Sequence, residues 1–95
     1  LYDEQTAKKY ARLALLIGHE NTSAKMGVKQ LVRSIDRLRR QLKMPETLRQ
    51  AGVSSEVFDQ FKEEIAEGAL LDGCTATNPR IPTKEQVVQI LQMIK

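Results

Sequence analysis

Apolar positions recur along this chain at helical spacing from end to end. Ala7, Tyr10, Ala11, Ala14 and Ile17 fall at i, i+3/i+4 and i+7, the stripe of a first helix. Leu13 and Leu16 widen the stripe, which predicts a helix packed on two sides. Gly18 can close it, because glycine takes a left-handed conformation at little steric cost. Asn21, Thr22 and Ser23 then offer side-chain oxygens to cap a second helix over residues 24–42. Its predicted buried face is Val28, Leu31, Val32, Ile35, Leu38 and Leu42. Pro45 lacks an amide proton and stops any continuation. It also suits the first turn of a short helix over residues 46–50, which Gly52 ends.

Ser54 or Ser55 caps a third long helix, with Val57, Phe58, Phe61, Ile65 and Ala69 on its inner face. Gly68 inside it is unfavourable by about 1 kcal/mol relative to alanine, and marks either a close helix contact or an early end. Residues 72–82 read Asp-Gly-Cys-Thr-Ala-Thr-Asn-Pro-Arg-Ile-Pro, and no periodicity survives there. The residues before the prolines, Asn78 and Ile81, are pushed towards extended conformations. Thr83-Lys84-Glu85-Gln86 fits a capping box, and a last helix follows with Val87, Ile90, Leu91 and Ile94 on one face. No strand alternation, internal repeat or interdomain linker interrupts this pattern. The predicted fold is all-α, a bundle of four main helices plus one short helix, forming a single helical domain or subdomain over residues 1–95.

Composition narrows the picture. An apolar fraction of 41% argues against wholesale disorder. The longest apolar run, residues 13–17, is far too short to span a bilayer. With no secretory signal or lipidation motif, the expectation is a cytoplasmic protein with no membrane partner. The single cysteine excludes an intramolecular disulfide framework and a multi-cysteine zinc site. The first residue is Leu1 rather than methionine, which suggests a chain processed or cut from something longer. A domain this small buries about 60–65% of its unfolded surface, enough for a modest core but leaving little room for a deep cofactor cavity.

Candidate chemistry is sparse. There is no Gly-x-Gly-x-x-Gly, no phosphate-binding Gly-x-x-x-x-Gly-Lys, no His-Glu-x-x-His and no nucleophile elbow. His19 reads either as a ligand or base, or as an exposed residue beside a helix C-terminus. The lack of a second His or Cys nearby favours the latter. Cys74 is either a reactive thiol or a small filler. With no identifiable base, a role lining a pocket is the better account. Arg33, Arg37, Arg39, Arg40 and Lys43 form a basic cluster, with Arg33, Arg37 and Arg40 on one face. It reads as a solvated helix face or as a set of phosphate contacts. Asp36 dilutes it, and Glu63, Glu64 and Glu67 oppose a uniformly basic surface, despite a net charge of +3. A small nucleic-acid-binding module using the face from Arg33 to Lys43 is therefore the alternative function. A helical scaffold that joins subunits is a third. Among the aromatics Tyr2, Tyr10, Phe58 and Phe61, the last two are expected in the core, and no stacking platform for single strands forms.

Asp72, Cys74, Thr75, Asn78, Pro79 and Arg80 stand as Asp-x-Cys-Thr-x-x-Asn-Pro-Arg. This segment resembles the C-terminal signature of iron-containing, group III alcohol dehydrogenases. Pro45, Leu48, Gly52 and Val53 match a Pro-x-x-Leu-x-x-x-Gly-Val stretch found earlier in the same family. The order of long helix, proline break, helix, turn and final helix also agrees. The resemblance implies a two-domain parent. Its N-terminal α/β domain binds NAD(P), and its helical domain holds Fe(II) or another divalent metal through one Asp and three His residues. The metal polarises the alcohol oxygen and the cofactor takes hydride. This chain resembles the last part of that helical domain. The cofactor loops and metal ligands lie upstream in the family, so the chain is expected to have no cofactor, metal or catalytic residue of its own. His19 receives no metal role. By resemblance, Cys74 and Thr75 shape the substrate side of the pocket, while Asn78 and Arg80 fix the turn and the final helix. The implied partners are the nucleotide-binding domain and metal-binding helices of the same polypeptide, and self-association of the parent stays open. The isolated chain is expected to be inactive and marginally stable.

Overall fold

The structure is a computed structural model and describes residues 3–95. It contains α1 (Glu4–Leu16), α2 (Ala24–Gln41), α3 (Ser55–Leu71), α4 (Gly73–Ala76) and α5 (Lys84–Met93), with no strand among the described residues. No helix among them is long and apolar enough to cross a membrane. The chain divides into two compact units, one ending at Met44 and the other beginning at Pro45.

In the first unit α1 packs on α2. Asp3 caps α1, accepting the Thr6 amide at 2.9 Å and the Thr6 hydroxyl. The face turned to α2 is made of small residues: Ala7, Ala11 and Ala14 are buried, the last at 0% exposure. Gly27 of α2 sits against Ala11, where a side chain would collide with the α1 backbone. The connection between the helices is tied down at three points. Asn21 Nδ2 donates to the Ala11 carbonyl at 3.2 Å, and Gln30 Nε2 donates to the Glu20 carbonyl at 2.7 Å. His19 Nε2 meets Ser34 Oγ at 2.7 Å. Gly18 is left-handed (φ 98°), and Ser23 caps α2 by accepting the Met26 amide at 3.1 Å.

Two expectations change here. Val32, Ile35, Leu38 and Leu42 are exposed within the chain, Ile35 at 57%. The alanine–glycine contact brings the helices together along one edge of the apolar stripe, so Val28 and Leu31 are half-buried while the rest stays open. Tyr10, Leu13, Leu16 and Ile17 of α1 are likewise exposed. Pro45 is also not what ends α2. The helix stops at Gln41, and the chain turns at Lys43, a non-glycine residue with φ 55°; Lys43 and Met44 amides bond the Arg40 and Arg39 carbonyls. Pro45 only keeps Met44 out of helical conformation.

In the second unit α3 packs on both α4 and α5. The short helix predicted over residues 46–50 is a single hydrogen-bonded turn. Gln50 Oε1 accepts the Glu46 amide at 2.7 Å, Thr47 Oγ1 accepts the Gln50 amide at 3.1 Å, and Gly52 (φ 99°) closes it. Amides in this turn are then used elsewhere: Leu48 donates to the Ile94 carbonyl at 2.7 Å and Arg49 to the Lys95 carbonyl at 3.1 Å. Ser54 caps α3, and Thr83 and Gln86 form the predicted capping box of α5. Phe58 is 3% exposed and Ala66 0%, but Phe61, expected inside, is 40% exposed. Nothing lies within 4 Å of where a Gly68 side chain would stand, so Gly68 marks neither a close contact nor an end of α3. Tyr2 lies outside the described residues.

Candidate functional site

The segment that follows α3 is built from local capping chemistry. Asp72 is extended (φ −67°, ψ 131°), which ends α3 and makes it the N-cap of α4. Its Oδ1 accepts the Cys74 amide at 2.7 Å. The Thr77 hydroxyl donates to the Cys74 carbonyl at 2.9 Å, so both ends of the Cys74 residue are held. The Thr75 hydroxyl donates to the Ala69 carbonyl at 2.5 Å, alongside the longer bond at 3.4 Å from the Asp72 amide at the end of α3. Asn78 Nδ2 donates to the Arg80 carbonyl on the approach to α5, in keeping with the role the family resemblance implies for it.

This turn borders an open groove of about 440 Å³, lined by Ala69, Asp72, Cys74, Thr75, Asn78 and Pro82. Cys74 is a free, exposed thiol, and Thr75 is half-buried. The structure therefore brings Cys74 and Thr75 together on one groove. The walls Ala69 and Pro82, and the Thr77 clamp, were not legible as site residues. The only available signal was the run of capping residue types around Cys74.

The other candidates disperse. His19 is half-buried rather than exposed, because Ser34 on the neighbouring helix meets its ring. Arg33, Arg37 and Arg40 border an open hollow of about 410 Å³, but Asp36 and Gln41 share it. Asp36 also pairs with Arg39 at 3.2 Å. Among the described residues no three His, Cys, Asp or Glu side chains converge to hold a metal ion. The donors of the described residues do not fit an iron site.

Ion pairs brace the helices on either side of the turn. Lys84 at the start of α5 meets Glu67 at 2.7 Å and Glu63 at 3.1 Å on α3. Hydrogen bonds to Glu67 and then Glu63 raise the Lys84 pKa above its ordinary 10.5. The hydrogen bond from Lys95 holds Asp59 below its ordinary 3.8, aided by the charges of Lys95 and Lys62. A raised lysine contributes stability below its unfolded pKa and loses it as pH climbs through the folded value. A lowered carboxylate contributes above its unfolded pKa and loses it as pH falls through the folded value. The melting temperature is therefore expected to be flat around neutrality. It should fall below the ordinary Asp59 value of 3.8 and again above the ordinary Lys84 value of 10.5. These groups are exposed, so the effects are small. Thermal melts of wild type and Lys84→Met across that range check this. The variant should lose the alkaline decline attributable to Lys84.

The all-helical chain carries this turn beside an open groove, and comparison with known proteins gives its family. Over residues 1–94 it matches the Fe-containing alcohol dehydrogenase family, C-terminal part, and it belongs to that family. It is 33% identical to the bifunctional aldehyde-alcohol dehydrogenase of Escherichia coli K12, a match covering 95% of this chain and 10% of that protein. It is 26% identical to the NADPH-dependent butanol dehydrogenase of Clostridium saccharobutylicum, over 92% of this chain and 22% of that one. It is 33% identical to alcohol dehydrogenase 4 of Saccharomyces cerevisiae, over 90% of this chain and 20% of that one. The chain thus spans between a tenth and about a fifth of the length of these curated relatives.

Proposed function

We propose that this chain is the C-terminal helical part of an iron- and NAD(P)-dependent alcohol dehydrogenase that interconverts primary alcohols and aldehydes in the cytoplasm. In this reading the turn at Asp72 to Arg80 forms the substrate side of the cleft, with Cys74 and Thr75 lining the pocket. The observation that carries it is the groove beside that turn, where the family signature is held by four side-chain hydrogen bonds and leaves the Cys74 thiol free. The relatives' own names support an alcohol–aldehyde couple and a nicotinamide cofactor. The metal and the cofactor belong to other parts of the polypeptide. When bound, they supply Lewis acidity and the hydride acceptor. What this chain contributes is shape: a rigid wall that orients the alcohol's carbon chain and excludes water from it. The open apolar faces of α1, α2 and α3 are then covered by the nucleotide-binding domain and metal-binding helices of the same polypeptide.

Cys74→Ser in the enzyme that carries this chain tests the reading. The ratio of kcat/KM between a short and a longer primary alcohol should change by about three- to tenfold, since a pocket wall discriminates by a few contacts. Cofactor KM should stay the same. An unchanged kcat/KM for every alcohol rejects the role of Cys74.

A further inference from the structure

The Thr75 hydroxyl is engaged within the fold. Its proton is given to the Ala69 carbonyl at 2.5 Å, six residues back, on the last turn of α3. This bond crosses from α4 to α3 and joins two walls of one groove, since Ala69 and Thr75 both line it. The backbone bonds in this turn run from the Asp72 amide to Ala69, from Thr75 to Asp72, from Thr77 to Cys74 and from Asn78 to Thr75. None of them ties α4 directly to α3 past Asp72. The only other side-chain bonds in the turn lie within α4 and its flanks. Thr75 is thus the α4 side chain whose hydrogen bond reaches back past Asp72 onto α3, while Asp72 and Thr77 hold Cys74 locally.

We propose that Thr75 is a positioning residue for alcohol selection: its hydroxyl latches α4 to the end of α3 and so sets the width of the groove and the placement of Cys74. This rests on the reading of the groove as the substrate side of the cleft. Valine has nearly the shape of threonine and cannot donate, so Thr75→Val leaves the Ala69 carbonyl with only the long 3.4 Å bond from the Asp72 amide. The carbonyl turns to water and the groove loosens.

The test compares Thr75→Val, Thr75→Ser and Cys74→Ser in the enzyme that carries this chain, using ethanol, butanol and a branched primary alcohol. Thr75→Val is expected to change the ratio of kcat/KM between butanol and the branched alcohol by about tenfold, the low end of what a change in apolar pocket contacts gives. Cofactor KM should not move, and Thr75→Ser, which keeps the hydroxyl, should restore the wild-type ratio. If Cys74→Ser shifts the ratio and Thr75→Val does not, the latch is overturned while the groove reading stands. If neither shifts it, the groove reading itself fails and the latch falls with it. Should Thr75→Val not fold, Thr75→Ala removes the same hydroxyl with less bulk. Loss of folding in both, with Thr75→Ser intact, assigns the hydroxyl to stability alone and overturns the proposal. So does an equal loss for all alcohols and for the cofactor.

Discussion

Phe58→Ala is expected to lose about 3–5 kcal/mol of stability, the usual cost of deleting a buried aromatic ring. Phe58 is the one large side chain buried in its unit, at 3% exposure, and its only buried apolar companion there is Ala66. The ring also carries the Lys95 ammonium 5.3 Å from its centre, while Lys95 reaches Asp59 at 3.1 Å. Removing the ring thus opens a cavity and releases the last residue of the chain together with its ion pair. A domain holds only about 5–15 kcal/mol in total, so this variant should lose a large share of its stability. Phe61→Ala, three residues on and 40% exposed, is the control and should cost clearly less. Denaturant titration followed by circular dichroism reads both. Equal losses for the two phenylalanines would show that the core is not centred on Phe58.

The second large effect concerns two glycines of opposite sign. Glycine inside a helix is ordinarily worse than alanine by about 0.5–1 kcal/mol, so exchanging it should stabilise. Gly68→Ala should do so, because nothing stands within 4 Å of the new methyl group. Gly27→Ala should do the reverse. Its methyl group would stand 2.5 Å from the Ala11 Cα and 3.1 Å from Asn21 Nδ2. The obstacle is backbone, which cannot rotate away, so α1 and α2 must part and the bond from Asn21 to the Ala11 carbonyl stretches. Overpacking of this kind costs about 1–3 kcal/mol, and Gly27→Val should cost more. Paired melts of the two alanine variants give the signs directly. A stabilised Gly27→Ala would mean that the helices do not meet at Ala11.

What could be read from sequence follows the range of the interaction involved. Caps and left-handed turns depend on two to four neighbouring residues, and Ser23, Ser54, Thr83, Gly18 and Gly52 all stand in the roles their types suggest. The single turn after Pro45 and the four-residue α4 are not legible in the sequence because such short segments show no periodicity. A proline with a polar residue after it serves a turn as well as a helix start. Burial was the weakest reading. The amphipathic pattern of α2 identifies an apolar face, yet it cannot say which part of that face a neighbour reaches. Here α1 covers the edge at Gly27 and leaves Ile35 open. Gly27 carries no local sequence signal, since its value lies in a contact with Ala11, sixteen positions away along the chain. In the candidate site, Cys74 and Thr75 are proposed through family resemblance. The division of labour between them is not legible, because the acceptor of the Thr75 hydroxyl is a backbone carbonyl and leaves no mark on the sequence.

The central claim is that the turn carrying Cys74 stands on the substrate side of an alcohol dehydrogenase cleft. The most direct measurement is the rate of Cys74 alkylation by iodoacetamide in the enzyme that carries this chain, followed by mass spectrometry of the peptide around Cys74. It should be run with and without a saturating primary alcohol and reduced nicotinamide cofactor, a pair that binds but cannot react. Protection that needs the alcohol, and is not produced by the cofactor alone, is the result predicted. An alkylation rate that the alcohol leaves unchanged would contradict the account and move this turn away from the reaction.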